Sequence, residues 1–303
     1  MSRLFSLVCI ALVLVAATAS VTVADEYSFD YQKIIDVHQP VLLDMQLVRG
    51  TVEIIGGEDN RIIIEAVKRV RASNYDEAQE VGDHIEIKVR HSDDKVELNT
   101  NYLRMINRGR SFWQKLLGGG GDSYGQVEYR ITVPVRTDVK ITSLAAEISV
   151  SSVEGEVEIE NENGVSRAEY IFGPVVVSQP HGDVDLQWIE GDIRIKATTG
   201  TITVSQLRGA LDIASRTGEV HIRTELDSNR DFFVQTTSGE ISFAVPPAAS
   251  GRLKLESGSG GIETDVPVVI KDISRNRLIG EFGNGGPKIH LTTSSGDITI
   301  AQY

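Results

Sequence analysis

Gly191-Asp-Ile-Arg-Ile-Lys-Ala-Thr-Thr-Gly200-Thr-Ile-Thr-Val-Ser-Gln-Leu-Arg-Gly209-Ala-Leu-Asp-Ile-Ala-Ser-Arg-Thr-Gly218 repeats a glycine every nine residues. The same spacing runs back unbroken through Gly182, Gly173, Gly164 and Gly155. After most of these glycines the second and fourth residues are apolar, as in Ile193 and Ile195, Ile202 and Val204, or Leu211 and Ile213. Polar residues stand between them. Period-two alternation is the mark of a strand with one buried face, and self-similarity at a fixed period is the mark of a stacked repeat. The unit Gly164-Val-Ser-Arg-Ala168 departs from the pattern.

A longer period lies over the first. Val153, Ile171, Ile189 and Leu207 stand two residues before Gly155, Gly173, Gly191 and Gly209, whereas Asn163, His181, Thr199 and Thr217 directly precede the intervening glycines. The coil is therefore expected to hold eighteen residues, as two unlike strand-turn units. Coils stacked at the ~4.8 Å strand separation pair in parallel and bury a face that none could bury alone. The phase extends to Gly50-Thr-Val-Glu-Ile54, to Ala146-Glu-Ile-Ser-Val150, to Gly239 after three extra residues, and through Gly251 and Gly260 to Gly296-Asp-Ile-Thr-Ile300. The expected fold is all-β: a single-stranded parallel β-solenoid, or β-helix, right-handed, with an N-terminal β cap. The expected divisions are a signal peptide over 1–24, a cap over 25–125 with a helical insertion at 101–125, and solenoid repeats over 126–303. Strands in the cap are expected at 62–66, 84–89 and 96–98.

The start of the chain reads as a secretory leader. Arg3 precedes an apolar run from Leu4 to Ala17, shorter than the about 18 residues a membrane-spanning helix needs, and small residues follow. Cleavage is expected after Ala19 or Ala24, with Ala24 preferred because Asp25 and Glu26 follow. Cys9, the one cysteine, lies inside the leader behind Val8, which is too large for a lipoprotein signal. The mature chain then has no thiol for a disulfide or a thiolate metal site. Its formal charge goes from −13 to −14, since Arg3 is the only charge lost. So acidic a protein is a poor general partner for nucleic acid or anionic lipid.

These residues resemble a known family, the adhesin-like β-strand-repeat proteins exported by many bacteria and of uncharacterised function. The likeness rests on Gly50-Thr-Val-Glu-Ile54, on Val133-Pro134 before the repeats, and on the turns Thr199-Gly200, Thr217-Gly218 and Thr237-Ser-Gly239. It rests also on the ending Gly286-Pro-Lys-Ile-His-Leu-Thr-Thr-Ser-Ser-Gly296-Asp-Ile-Thr-Ile300. The resemblance implies a parallel β-solenoid and an adhesive role, and it brings no catalytic residue.

Calcium-binding β-rolls share a nonapeptide period, but their turns need Gly-Gly-x-Gly-x-Asp, and here Glu190-Gly191-Asp192 and His181-Gly182-Asp183 lack the second glycine. Asn163, His181, Thr199 and Thr217 are expected to stack as a hydrogen-bonding column at one turn. Glu154, Glu156, Glu158, Glu160 and Glu162 alternate, so they form a carboxylate stripe, with Asp192, Arg194 and Lys196 two strands away. That stripe is the best enzyme candidate, but a solvated charged face explains it better, since no residue pairing in it is specific to a reaction. The segment 101–125 breaks the repeat: Ser111-Phe-Trp-Gln114 fits a capping box, and Gly118 can end a short helix. Phe112, Trp113, Leu116 and Leu117 there mix with Arg104, Arg108, Arg110 and Lys115. Aromatic and basic residues together suit a membrane interface or an acidic partner.

The expectation is a non-catalytic, adhesin-like interaction protein of the cell envelope, periplasmic or at the cell surface. It needs no cofactor or metal, and it binds an envelope protein, glycan or membrane surface through 101–125. The alternatives are a polysaccharide-acting β-helix enzyme and a structural envelope scaffold.

Overall fold

The computed structural model describes residues 25–102, 125–226 and 230–303. Among them the chain is all-β, with one helix, Tyr75–His84. The leader and the 101–125 insertion, apart from Asn101, Tyr102 and Gly125, lie outside the described residues.

Alternation builds two parallel ladders. One runs through residues 137–143, Val157–Asn161, 175–181, Ile193–Thr199, Leu211–Thr217 and Phe232–Ser238. The other runs through 146–153, Asn163–Phe172, 182–190, Ile202–Arg208, Val220–Thr224 and Ile241–Val245. Val157, Val175, Ile193 and Leu211 lie side by side, so the register advances by eighteen residues per coil, as the sequence predicts. The inward residues of both ladders merge into one core; Phe232 and Phe243 meet across it edge to face, with ring centroids 5.9 Å apart. The irregular unit keeps the same register. Ser166 and Ala168 occupy inward positions, and the buried Ser166 hydroxyl donates to Gln179 Oε1.

The nine-residue spacing is two interleaved eighteen-residue glycine columns. A Cβ on Gly200 would stand 2.0 Å from the carbonyl oxygen of Gly182, and one on Gly191 would stand 2.0 Å from that of Gly173. Each turn rests directly on the backbone of the turn before it. Two side-chain devices then satisfy the turn amides and carbonyls. Asp183 and Asp192 each accept the backbone N–H one coil on, from Thr201 at 2.8 Å and Ala210 at 2.9 Å. Gln179 and Gln206, both buried, donate to the turn carbonyls of Gly164 and Asp183, and of Gly191 and Ala210.

Spatial order departs from chain order at both ends. Residues 41–57 pair with 137–153, and the segments Lys95–Tyr102 and Gly125–Pro134 lie outside them. At the other end Lys288–Ser295 and Ile298–Gln302 lie against Phe232–Ser238 and Ile241–Val245, with Gly251–Ser257 and Ile262–Thr264 outside. Antiparallel strands continue the sheets beyond. Asp25–Asp36 and Arg61–Ala72 extend the second ladder at the N-terminal end, Ile85–His91 extends the first, and Arg277–Phe282 with Val269–Ser274 does so at the C-terminal end.

The helix is an addition to the strands expected in the N-terminal β cap. Asn74 caps it by accepting from the Glu77 amide at 2.9 Å, Asp76 and Glu77 fill the first turn, and Ala78 and Val81 are buried. His84, expected to open a strand, ends this helix, and the strand begins at Ile85.

Candidate binding ridge

Three successive coils read Val150-Ser-Ser-Val153, Ala168-Glu-Tyr-Ile171 and Leu186-Gln-Trp-Ile189. The outer residues of each are buried. Simple alternation would send the third residue of each inward. Instead Ser152, Tyr170 and Trp188 adopt left-handed backbone conformations, with φ of 60°, 54° and 57°, and two consecutive side chains leave the core together. Only one other described non-glycine residue, Leu226, has positive φ. A bulky residue in this region costs about 1–2 kcal/mol.

The next coil shows that the stack does not require this bulge. At Val204-Ser-Gln206 the third residue turns inward, and Gln206 is 2 % exposed and fully engaged through its amide N–H groups. The register between the coils shifts at the same point, where Ile189 pairs with Gln206.

The bulges put an aromatic pair on the outside. Tyr170 and Trp188 are 48 % and 47 % exposed, their rings lie parallel within 7°, and their centroids are 6.4 Å apart. Phe172, two residues on, is also exposed. Beside the rings, Glu169 pairs in register with Gln187, and Arg167 with Asp185. The Gln187 amide donates to Asp185 Oδ1 at 2.6 Å, and Arg208 holds Glu190 at 2.6 Å beyond.

The other candidates resolve into structural roles. Asn163, His181, Thr199 and Thr217 do stack in register, and His181 Nδ1 lies 3.0 Å from Thr199 Oγ1. In the carboxylate stripe Lys140 holds Glu158 at 2.8 Å, and the Glu158 carboxylate raises the Lys140 pKa. Arg194 faces Asp212 at 3.5 Å on the same ladder. These are ion pairs along a flat sheet face. A groove of about 880 Å³ crosses the outer face of the N-terminal strands, lined by Asp30, Glu53, Glu65, Glu128 and Arg130 among others. Some of its charges are paired, Arg130 with Glu53 at 2.8 Å and Arg69 with Glu128 at 2.5 Å, and Glu65 accepts from the Gln32 amide. Among the described residues no group of three or more His, Cys, Asp or Glu is placed to hold a metal. No described helix is long and apolar enough to cross a membrane.

Arg104, Arg108, Arg110, Phe112, Trp113, Lys115, Leu116 and Leu117, the binding residues expected from the sequence, all lie outside the described residues. Their described neighbours Tyr102 and Gly125 belong to the outermost coil at the N-terminal end. The ridge was missed because alternation alone assigns Tyr170 and Trp188 to the core. Its signal was the apolar-polar-aromatic-apolar spacing recurring after eighteen residues.

The family model described as Toastrack DUF4097 matches residues 43–301. The chain belongs to the Toastrack DUF4097 family. That match takes in every coil of this Toastrack chain, the ridge included. No curated protein matches the sequence. Among solved structures, a "putative cell adhesion protein" from Clostridium sporogenes is similar at 14 % identity, covering 91 % of this chain and 100 % of its own, with a TM-score of 0.29. A "putative adhesin" from Bacteroides fragilis has 12 % identity, coverage of 92 % and 97 %, and a TM-score of 0.35. A "putative lipid binding protein" from Parabacteroides distasonis has 11 % identity, coverage of 90 % and 96 %, and a TM-score of 0.36. Superposition this loose carries no functional argument for the Toastrack chain.

Proposed function

We propose that this protein is an exported, non-catalytic, adhesin-like interaction protein of the cell envelope, its coils forming a single-stranded, right-handed parallel β-solenoid. The observation that carries the reading is the ridge. Tyr170 and Trp188 are held half exposed in a costly left-handed backbone conformation, which the adjacent coil, with Gln206 turned inward, does not adopt. Strain that packing does not require is characteristic of contact sites. The carboxylate stripe supports the enzymatic alternative less well, since Glu158 is bound to Lys140 and lies on a sheet face. The insertion bearing Arg104 and Trp113 is a second proposed contact surface.

The test is sedimentation of labelled mature protein with isolated bacterial envelopes. Binding should saturate, and Y170A with W188A should weaken it roughly tenfold, the order of one to two lost aromatic contacts. A deletion of 101–125 reports separately on the second surface. Release of soluble product from any polysaccharide by the purified protein would overturn the non-catalytic reading.

A further inference from the structure

We infer that the ridge at Tyr170 and Trp188 binds a neutral glycan chain, one sugar ring against each aromatic ring; this rests on the interaction reading above and names its ligand class. A sugar ring has an apolar C–H face and a rim of hydroxyls. It therefore needs a flat aromatic surface with polar groups at the edge, not an apolar pocket. The ridge supplies two half-exposed aromatic rings with polar side chains on the adjoining positions. Tyr170 and Trp188 stand on neighbouring coils with their rings parallel within 7° and centroids 6.4 Å apart, which offers one aromatic ring to each of two neighbouring sugar rings. Gln187, Asp185, Glu169 and Arg167 stand on the adjoining positions of the same two strands. The 2.6 Å hydrogen bond from Gln187 to Asp185 pre-orients the amide, which lowers the ordering cost of a hydrogen bond to a hydroxyl.

The surroundings argue against the other ligands that stack on aromatic rings. Bases of single-stranded nucleic acid would need a cationic track along the strand. Here Glu190 and Arg208 neutralise each other, and Glu169 and Asp185 outnumber the one cation Arg167 on the same two strands, so no cationic track runs along the ridge. The same surplus of carboxylate disfavours an anionic glycan. A quaternary ammonium group needs rings on several sides, and two parallel rings enclose nothing. An apolar protein or lipid surface would strip water from Glu169 and Gln187 without replacing their hydrogen bonds. Hydroxyls replace them.

The experiment is affinity electrophoresis of the mature protein through native gels containing glucomannan, galactomannan, dextran or hydroxyethyl cellulose, with alginate as the anionic comparison. At least one neutral polymer should retard the protein. The dissociation constant should rise roughly tenfold or more in Y170A and in W188A. W188F, which keeps a ring, should retain most of the affinity. L144A removes a side chain that is 60 % exposed elsewhere on the surface and should change nothing. Unaltered circular dichroism in each variant establishes that the fold is kept. Retardation by alginate alone, equal retardation of wild type and W188A, or no retardation by any neutral polymer would each overturn the glycan assignment. If envelope sedimentation still depends on Trp188 in any of those cases, the interaction reading stands and only the ligand class falls.

Discussion

At the scale of single residues, one contact explains the unbroken glycine run from Gly155 to Gly218. Each turn glycine lies so close to the carbonyl of the turn beneath that a methyl group has no room, as at Gly200 over Gly182. Gly200 also has φ of 122°, a conformation that L side chains rarely adopt. Gly200→Ala therefore meets a steric and a conformational penalty together. It should lower the free energy of unfolding by about 3 kcal/mol, read from the midpoint of a urea titration. A variant of unchanged stability would mean that the turns are looser than the columns imply. The aspartates after these glycines, which in a calcium roll would ligate the ion, here accept backbone N–H groups from the next coil. Such an exposed hydrogen bond contributes about 1 kcal/mol, which is reason enough for an acid at that position.

At the scale of elements, what the sequence disclosed was whatever repeats. Alternation and the eighteen-residue phase placed Val157, Val175, Ile193 and Leu211 side by side, and placed His181 beside Thr199. The cap strands expected at 62–66, 84–89 and 96–98 lie largely within Arg61–Ala72, Ile85–His91 and Lys95–Tyr102, but the other non-repeating elements stayed hidden. The helix Tyr75–His84 was announced by Asn74 with Glu77 three residues later, a local capping signal, and by the strand-poor composition of residues 76–84 between two strand-forming stretches. The bulges at Tyr170 and Trp188 contradict alternation, and a period-two reading buries both rings. The N-terminal strands show a further consequence of facing inward. Tyr129 is 2 % exposed, and its hydroxyl lies 2.7 Å from Thr100 Oγ1. Burial raises its pKa far above the ordinary 10.0, and burial likewise pushes Tyr102 up to about 12. In the unfolded chain both ionise near the ordinary value, so as pH rises past 10 the unfolded state loses protons first and gains stability relative to the folded one. The urea midpoint should fall between about pH 9 and about pH 11. Tyr129→Phe should flatten that fall, and an equal fall in the variant would assign the effect to other groups.

At the scale of the whole molecule, the inverted order at both ends decides how the stack is closed. A simple chain-order stack would leave its last coil bound on one side only, free to fray. Here the final segment, Lys288–Ser295 with Ile298–Gln302, lies between two coils that precede it in sequence, pairing with Phe232–Ser238 and Ile241–Val245 inside and with Gly251–Ser257 and Ile262–Thr264 outside. Residues 41–57 hold the corresponding position at the other end. Glycine spacing cannot reveal this, because a coil inserted out of turn has the same internal pattern as one added in turn. The arrangement makes loss of the last segment more costly than loss of one coil. Without residues 287–303, Gly251–Ser257 has no parallel partner, and the inward residues Phe232, Ile241 and Phe243 lose the strands beside them. A chain ending at Gly286 should therefore exchange backbone hydrogens rapidly throughout 251–282 as well, while 157–224 stays protected, because nearest-neighbour stacks unravel coil by coil from an exposed end. Protection of 251–282 equal to that in the full chain would show that this outer coil holds its place without the segment it rests on.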